Sequence, residues 1–267
     1  MTRTEPASFT PRRAGLGETL IPYAPGRPDA ASHPAWLDRV IVNAAGDPER
    51  FGGFPPPDGV ERRESAVLLL FGPGPGPELA PQPTAAGDPT HTGGGESLGS
   101  VLLIERAHDM RSHPGQIALP GGGVEAGDAD IVATALREAA EEVHLDGSGV
   151  EVLGTLPPMF IGPSSSLVTT VVGWWRDPSP VSVGDPAEVA QVIEAPLEFL
   201  LDPATRHTVV HPRGYRGPGF VLGDDLLLWG FTGSIVNAAL ELGGLTRAWD
   251  EQRTMPIPER LLWGRRG

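Results

Sequence analysis

Two continuous apolar runs, Ala66 to Phe71 and Val101 to Ile104, the latter followed by Glu105-Arg106, bracket the 29 residues from Gly72 to Ser100, of which 14 are Gly or Pro. Regular structure does not survive such a density of breakers, because Pro fixes φ and removes a backbone donor while Gly loses the most freedom on ordering. The two runs read as buried strands. Joining them as a hairpin or adjacent pair with an enlarged loop costs little, since closure entropy grows slowly with loop length. A PxxP-type docking segment is the functional alternative for the same stretch.

Gly and Pro number 36 and 30 in the 267 residues, close to the level that marks low-complexity segments. Residues 1–34 lack hydrophobic periodicity and are expected to form a flexible arm. The pattern from Pro34 to Val42 predicts a first helix, with Ser32 as its N-cap. Helices are also expected from about Ala129 to Val143 and from about Gly233 to Leu242. Strands are expected at Val150–Leu153, Leu167–Trp175 and Val189–Ile193. With strands mostly next to strands, the fold class is α+β, not a doubly wound parallel sheet. The chain then divides into the arm, a domain over 35–245 carrying the Gly/Pro-rich insert 72–100, and a C-terminal tail over 246–267.

The net charge of −14 argues against a nucleic-acid or membrane-surface binder, which draws affinity from clustered cationic side chains. A phosphorylated ligand must therefore be held locally or through a metal. The absence of cysteine excludes thiolate zinc sites, disulfides and cysteine nucleophiles. With no apolar leader-like segment and no long apolar run, the expectation is a soluble, cytoplasmic protein, with a homodimer left open.

The chemistry sits in Pro120-Gly121-Gly122-Gly123-Val124-Glu125-Ala126-Gly127-Asp128, a loop, and the helix after it. Asp128 reads as the N-cap, and Ala133, Leu136, Ala139, Ala140 and Val143 as the buried face. Glu138, Glu141 and Glu142 stand at i, i+3 and i+4, so three like charges share one flank and call for compensation. Oxygen ligands at this density suit Mg²⁺ or Mn²⁺. A solvated acidic helix face is the plain alternative for these residues taken alone.

Taken in register, Gly122, Asp128 and Arg137-Glu138-Ala139-Ala140-Glu141-Glu142 resemble the Nudix box, a Gly, five residues, an acid, then R-E-x-x-E-E. This chain has one residue more than the general box and Asp for Glu, a variant carried by the coenzyme A pyrophosphatase branch. The upstream run Leu102-Leu103-Ile104-Glu105-Arg106-Ala107, Arg111, Gly115 and Leu119-Pro120-Gly121-Gly122 matches that branch's signature in spacing, with Ile104 for Thr and Leu119 for Phe. Fragments at Glu188-Val189, Ala195-Pro196-Leu197 and Trp229-Gly230-Phe231-Thr232-Gly233 are similar too. His144 replaces the Gly that closes the box helix. A left-handed residue with a small stability cost is expected there, an acid/base role being the alternative.

The resemblance implies a Nudix-like α/β/α sandwich with a mixed β-sheet, and hydrolysis of coenzyme A or its derivatives to 3′,5′-ADP and 4′-phosphopantetheine. It implies Glu138 and Glu142 as ligands of Mg²⁺ or Mn²⁺, Glu141 as ligand or base, and the Gly122 carbonyl as a further donor. Arg137 is expected to fix a carboxylate of the site. Arg106 and Arg111, with Gly115 and Gly121, are the expected substrate contacts, since a guanidinium fork matches phosphate oxygens. Arg106 as a plain strand-end charge is the alternative. Glu188 is a candidate general base or extra ligand, or merely a polar residue opening a strand. The partner is thus a small nucleotide. A Nudix hydrolase of ADP-ribose, NADH or a dinucleotide, or a non-catalytic nucleotide-binding module, would keep the same helix. His108, His113, His207 and His211 form no ligand pair, and Ser164-Ser165-Ser166 lacks the context of a nucleophilic serine.

Overall fold

The computed structural model describes residues 11–20, 33–51, 62–74, 98–223 and 226–262. In chain order the strands are β1 Arg12–Gly15, β2 Thr19–Leu20, β3 Arg63–Gly72, β4 Ser100–Arg106, β5 Ile117–Ala118, β6 Gly121–Gly123, β7 Val150–Thr155, β8 Met159–Ile161, β9 Ser166–Trp175, β10 Val181–Ser182, β11 Val189–Pro196, β12 Arg206–Val210, β13 Arg216–Gly223, β14 Leu226–Leu228 and β15 Thr254–Pro256. The α-helices are α1 Ala35–Gly46, α2 Ile131–Val143, α3 Leu197–Leu201 and α4 Gly230–Leu242.

The main sheet runs β1-β11-β4-β3-β9-β7, with β5, β6 and β8 added to β4, β3 and β9. It is mixed: β3 lies parallel to β9, with Leu68 opposite Val171, while its other pairings are antiparallel. β3 and β4 are antiparallel neighbours through Phe71↔Val101 and Gly72↔Ser100, so the Gly/Pro run does join two adjacent strands. Most of that run, including its PxxP reading, lies outside the described residues.

Strand side chains alternate between faces, and β3 shows what this does. Ala66, Leu68 and Leu70 meet Ala135, Ala139 and Val143 of α2 on one side. Leu69 and Phe71 join Trp36, Leu37 and Val40 of α1 and Ile235, Val236 and Ala239 of α4 on the other. Both faces are covered by helices, the expected α/β/α sandwich. A β3 apolar on both faces is why its sequence reads as an unbroken run.

A second sheet, β14-β13-β12-β15, and a small pair, β10-β2, complete the described strands. Three expectations need correction. Within the stretch expected to be an arm, β1 pairs with β11 as the edge of the main sheet, burying Ala14. Within the expected tail, β15 lies parallel to β12, and Ile257 and Leu261 are buried. The helix expected from Ala129 starts at Ile131, and α1 follows Pro34 without a side-chain cap, Ser32 lying outside the described residues. No described helix is long and apolar enough to cross a membrane.

Candidate active site

α2 is positioned at both ends. Its N-cap is Asp130, not Asp128: the Asp130 carboxylate accepts from the Ala133 N–H at 2.8 Å. At the other end His144 is left-handed, φ +55°, as the missing Gly demands. The His144 N–H bonds back to Ala140 O at 3.0 Å, the closing bond of an αL cap, and the Leu145 N–H reaches Ala139 O at 3.3 Å. Its ring is exposed and meets the Ser182 hydroxyl at 3.0 Å.

The buried face of α2 comprises Thr134, Ala135, Ala139, Glu142 and Val143; Ala140, expected inside, is exposed. Glu142 is therefore not on a polar surface. It is 2 % exposed, between α2 and the glycine strand β6. Its Oε2 accepts from the Gly121 N–H at 2.9 Å, while its buried Oε1 has no hydrogen-bond partner among the described residues. Burial pushes its pKa up to about 8; the Gly121 N–H and the Arg106 charge pull the other way, and Glu138 and Glu188 add to the rise. Burial likewise raises the pKa of Glu138, against the pull of Arg137.

The glycines explain the close approach. A Cβ at Gly122 would overlap the carboxylate of Glu138, and one at Gly121, where φ is +154°, would strike the backbone of Ala66 and Val67. Both belong to β6, which is threaded against β3 through Ala66↔Gly122 and Val67↔Gly121.

Arg137 ties the loop to the helix. Its Nε and Nη2 donate to Asp128 at 2.9 and 3.1 Å, Nη2 also to Gly123 O at 2.9 Å, and Nη1 to Glu141 at 3.0 Å. Glu138 lies 3.2 Å from Nη2. Asp128 further accepts from the Glu125 N–H and the Thr134 hydroxyl, and these bonds, that from Arg137 foremost, hold its pKa well below the usual carboxylate range. Asp128 is thus the anchor of the loop. Glu141 is more than half exposed and drawn to Arg137, so the three box carboxylates do not converge as their spacing suggests. Among the described residues no three His, Asp or Glu side chains stand together as a ready metal cluster.

Of the remaining expected residues, Arg106 and Glu188 lie within charge reach of Glu142, and Glu188 of Glu138 as well. Arg106, at the end of β4, has a buried Nε without a hydrogen-bond partner, and its charge acts on Glu142. Arg111 is exposed on the loop that follows. Gly115 is left-handed, φ +64°, and its N–H bonds Arg106 O at 3.1 Å. Glu188, exposed before β11, accepts from the Ala107 N–H at 2.8 Å through its carbonyl, and its charge reaches both Glu138 and Glu142. Sequence reasoning missed the Gly121 N–H as a carboxylate donor; the only trace of it was the glycine run itself.

These donors fit a hard divalent cation: two neighbouring carboxylates, one with a buried oxygen left unpaired, beside a glycine strand where a side chain would fill the space. A description of the NUDIX domain matches residues 89–212. The chain is 40% identical over 141 residues to the uncharacterized Nudix hydrolase NudL of Photorhabdus laumondii, covering 52% of this chain and 74% of that one. It is 38% identical over 146 residues to the uncharacterized NudL of Enterobacter sp. (strain 638), covering 54% and 75%. A crystal structure of a Nudix hydrolase from M. smegmatis, RenU, is 22% identical with a TM-score of 0.37, covering 53% of this chain and 74% of that one. The chain belongs to the Nudix hydrolase family.

Proposed function

We propose that this enzyme hydrolyses the diphosphate of coenzyme A or its acyl derivatives, releasing 3′,5′-ADP and 4′-phosphopantetheine or its acyl form, with Mg²⁺ or Mn²⁺. The observation that carries the reading is Glu142: a buried carboxylate with one oxygen fixed by Gly121 and the other unpaired is stable only if a cation or a proton meets it. Glu138, Glu142 and the Gly122 carbonyl would hold the ion, which supplies charge neutralisation at the diphosphate and a bound water of lowered pKa.

The rest is done by the chain itself. Arg137 and Asp128 fix the glycine loop against α2, so Gly121 and Gly122 keep their approach to Glu142 and Glu138. Arg106, whose buried Nε lacks a partner among the described residues, pairs phosphate oxygens, with Arg111 reaching them from the loop. Glu141, released from Arg137, or Glu188, within the field of Glu138 and Glu142, accepts the proton of the attacking water. The coenzyme A assignment is supported by Arg106, Arg111, Gly115 and Leu119-Pro120-Gly121-Gly122 in the spacing of that branch.

The test is a panel of coenzyme A, acyl-coenzyme A, ADP-ribose and NADH with Mg²⁺ or Mn²⁺, products identified by mass. Cleavage of coenzyme A at the highest kcat/KM supports the assignment. Preference for ADP-ribose or NADH overturns it while leaving the family's chemistry intact.

A further inference from the structure

The C-terminal segment lies beyond the residues matched by the NUDIX description, yet it reaches back to the loop that carries the expected phosphate contacts. Gln116 Nε2 donates to the backbone oxygen of Leu261 at 2.8 Å, across 145 positions of sequence. A carbonyl only accepts, so this bond fixes the amide: the nitrogen faces Leu261 and Oε1 is left toward Nδ1 of His113, 3.1 Å away. An amide oxygen only accepts too, which places the His113 proton on Nδ1.

Leu261 is itself anchored. It is 3 % exposed and packs with Val209, Leu227 and Ile257. β15 pairs with β12 just before it, and the Ile257 N–H extends that pairing to Val210 O at 3.3 Å. The other end of the bond is a loop that needs holding. His113 and Gly115 are both left-handed, φ +55° and +64°, a conformation that β-carbon sterics disfavour at a histidine. The loop closes through Arg106 N–H to Gln116 O at 3.0 Å, Gly115 N–H to Arg106 O at 3.1 Å and Gln116 N–H to His113 O at 3.3 Å. The Gln116 backbone thus sits opposite Arg106, while its side chain grips His113 and Leu261 together.

We infer that Gln116 is a positioning residue for substrate binding: it fastens the loop bearing Arg106, Arg111 and Gly115 to the C-terminal segment 254–262, which becomes a working part of the site. The inference rests on the reading of Arg106 and Arg111 as phosphate contacts. Loss of the clamp lets the loop relax from its left-handed turns, so the guanidinium groups meet the diphosphate less often while the carboxylates of α2 stay in place.

The experiment uses the full chain with Mg²⁺, coenzyme A as substrate, and the variants Gln116→Ala, Gln116→Glu and Arg106→Ala, with amide hydrogen exchange on each. Gln116→Glu keeps the size but sets an acceptor against Leu261 O. In both Gln116 variants KM is expected to rise about tenfold with kcat within about twofold, the order of one lost positioning contact. Exchange is expected to quicken together at residues 106–116 and 257–262, with α2 unchanged. Unchanged KM in both variants overturns the inference. So does a fall in kcat and melting temperature without a change in KM, or faster exchange confined to one of the two segments. Arg106→Ala separates the two readings: if it leaves KM unchanged, the phosphate-contact reading fails, and the joint exchange response alone decides whether Gln116 couples the segments.

Discussion

At the scale of the residue, Glu141 and Glu142 are adjacent, identical in sequence, and opposite in circumstance. Glu142 follows Ala135 and Ala139 along the packed face of α2, whereas Glu141 points off that face and pairs with Arg137. Gln at position 142 keeps an acceptor for the Gly121 N–H and removes a charge from a buried site. Glu142→Gln is therefore expected to melt, without metal, no lower than the parent chain, yet to lose Mg²⁺-dependent turnover by about 100-fold or more. A clear drop in the metal-free melting temperature, or retained turnover at saturating Mg²⁺, contradicts this.

The two glycines make a matched pair of tests. A methyl at Gly122 meets the far end of the Glu138 side chain, which can swing away, so Gly122→Ala is expected to cost activity and little stability. A methyl at Gly121 meets backbone at a positive φ, so Gly121→Ala is expected to destabilise by about 1–3 kcal/mol. Equal losses of stability in the two, read by thermal melts, count against the packing described for β6. The register of Gly122, Asp128 and Glu138 to Glu142 was legible in the sequence. Their burial was not, because a helical wheel shows which residues share a face and not which face the glycine strand covers.

Among the elements, those legible in advance were α1, α2 and α4 and the strands β3, β4, β7, β9 and β11, whose apolar residues are continuous or periodic. β1 was not: Arg12-Arg13-Ala14-Gly15 contains a single buried apolar residue, and its place depends on Arg12 meeting the buried Glu194 at 3.1 Å, a partner 182 positions away. The segment before α1 carries a pH-sensitive contact. His33 lies 2.8 Å from Asp38 of that helix and 3.3 Å from Glu151 of β7. Burial alone would lower its pKa, but the hydrogen bonds and charges of Asp38 and Glu151 outweigh burial and raise it above 6.5. A raised folded pKa means that the contribution is full below pH 6.5 and fades as pH rises through the folded value. His33→Gln is expected to cost about 0.5 kcal/mol at pH 5.5 and nearly nothing at pH 9, checked by denaturant melts at both pH values. A loss that is equal or larger at pH 9 contradicts the contact.

For the whole molecule, the α+β class was legible from strands lying mostly next to strands, whereas the sandwich was implied by the resemblance that Gly122, Asp128 and Arg137 to Glu142 carry. The second sheet was not, because β12, β14 and β15 are short, β13 carries three glycines, and the four are spread over 51 residues, from Arg206 to Pro256. The Gly/Pro insert leaves the sheet at Gly72 and returns at Ser100, which are paired neighbours. A short turn would suffice to bridge that gap, so replacing residues 75–97 with a Gly-rich tetrapeptide is expected to shift the melting temperature by no more than about 3 °C. A larger fall would show that the insert packs on the core.

The central claim is that α2 holds a divalent ion beside the glycine strand. Crystals soaked in Mn²⁺ and measured at an anomalous wavelength test it most directly. The account predicts a peak bound by Glu138 and Glu142, with Glu142 Oε1 among its ligands. Mn²⁺ bound elsewhere in the same crystal, with Glu142 Oε1 still unpaired even beside a diphosphate, would contradict it.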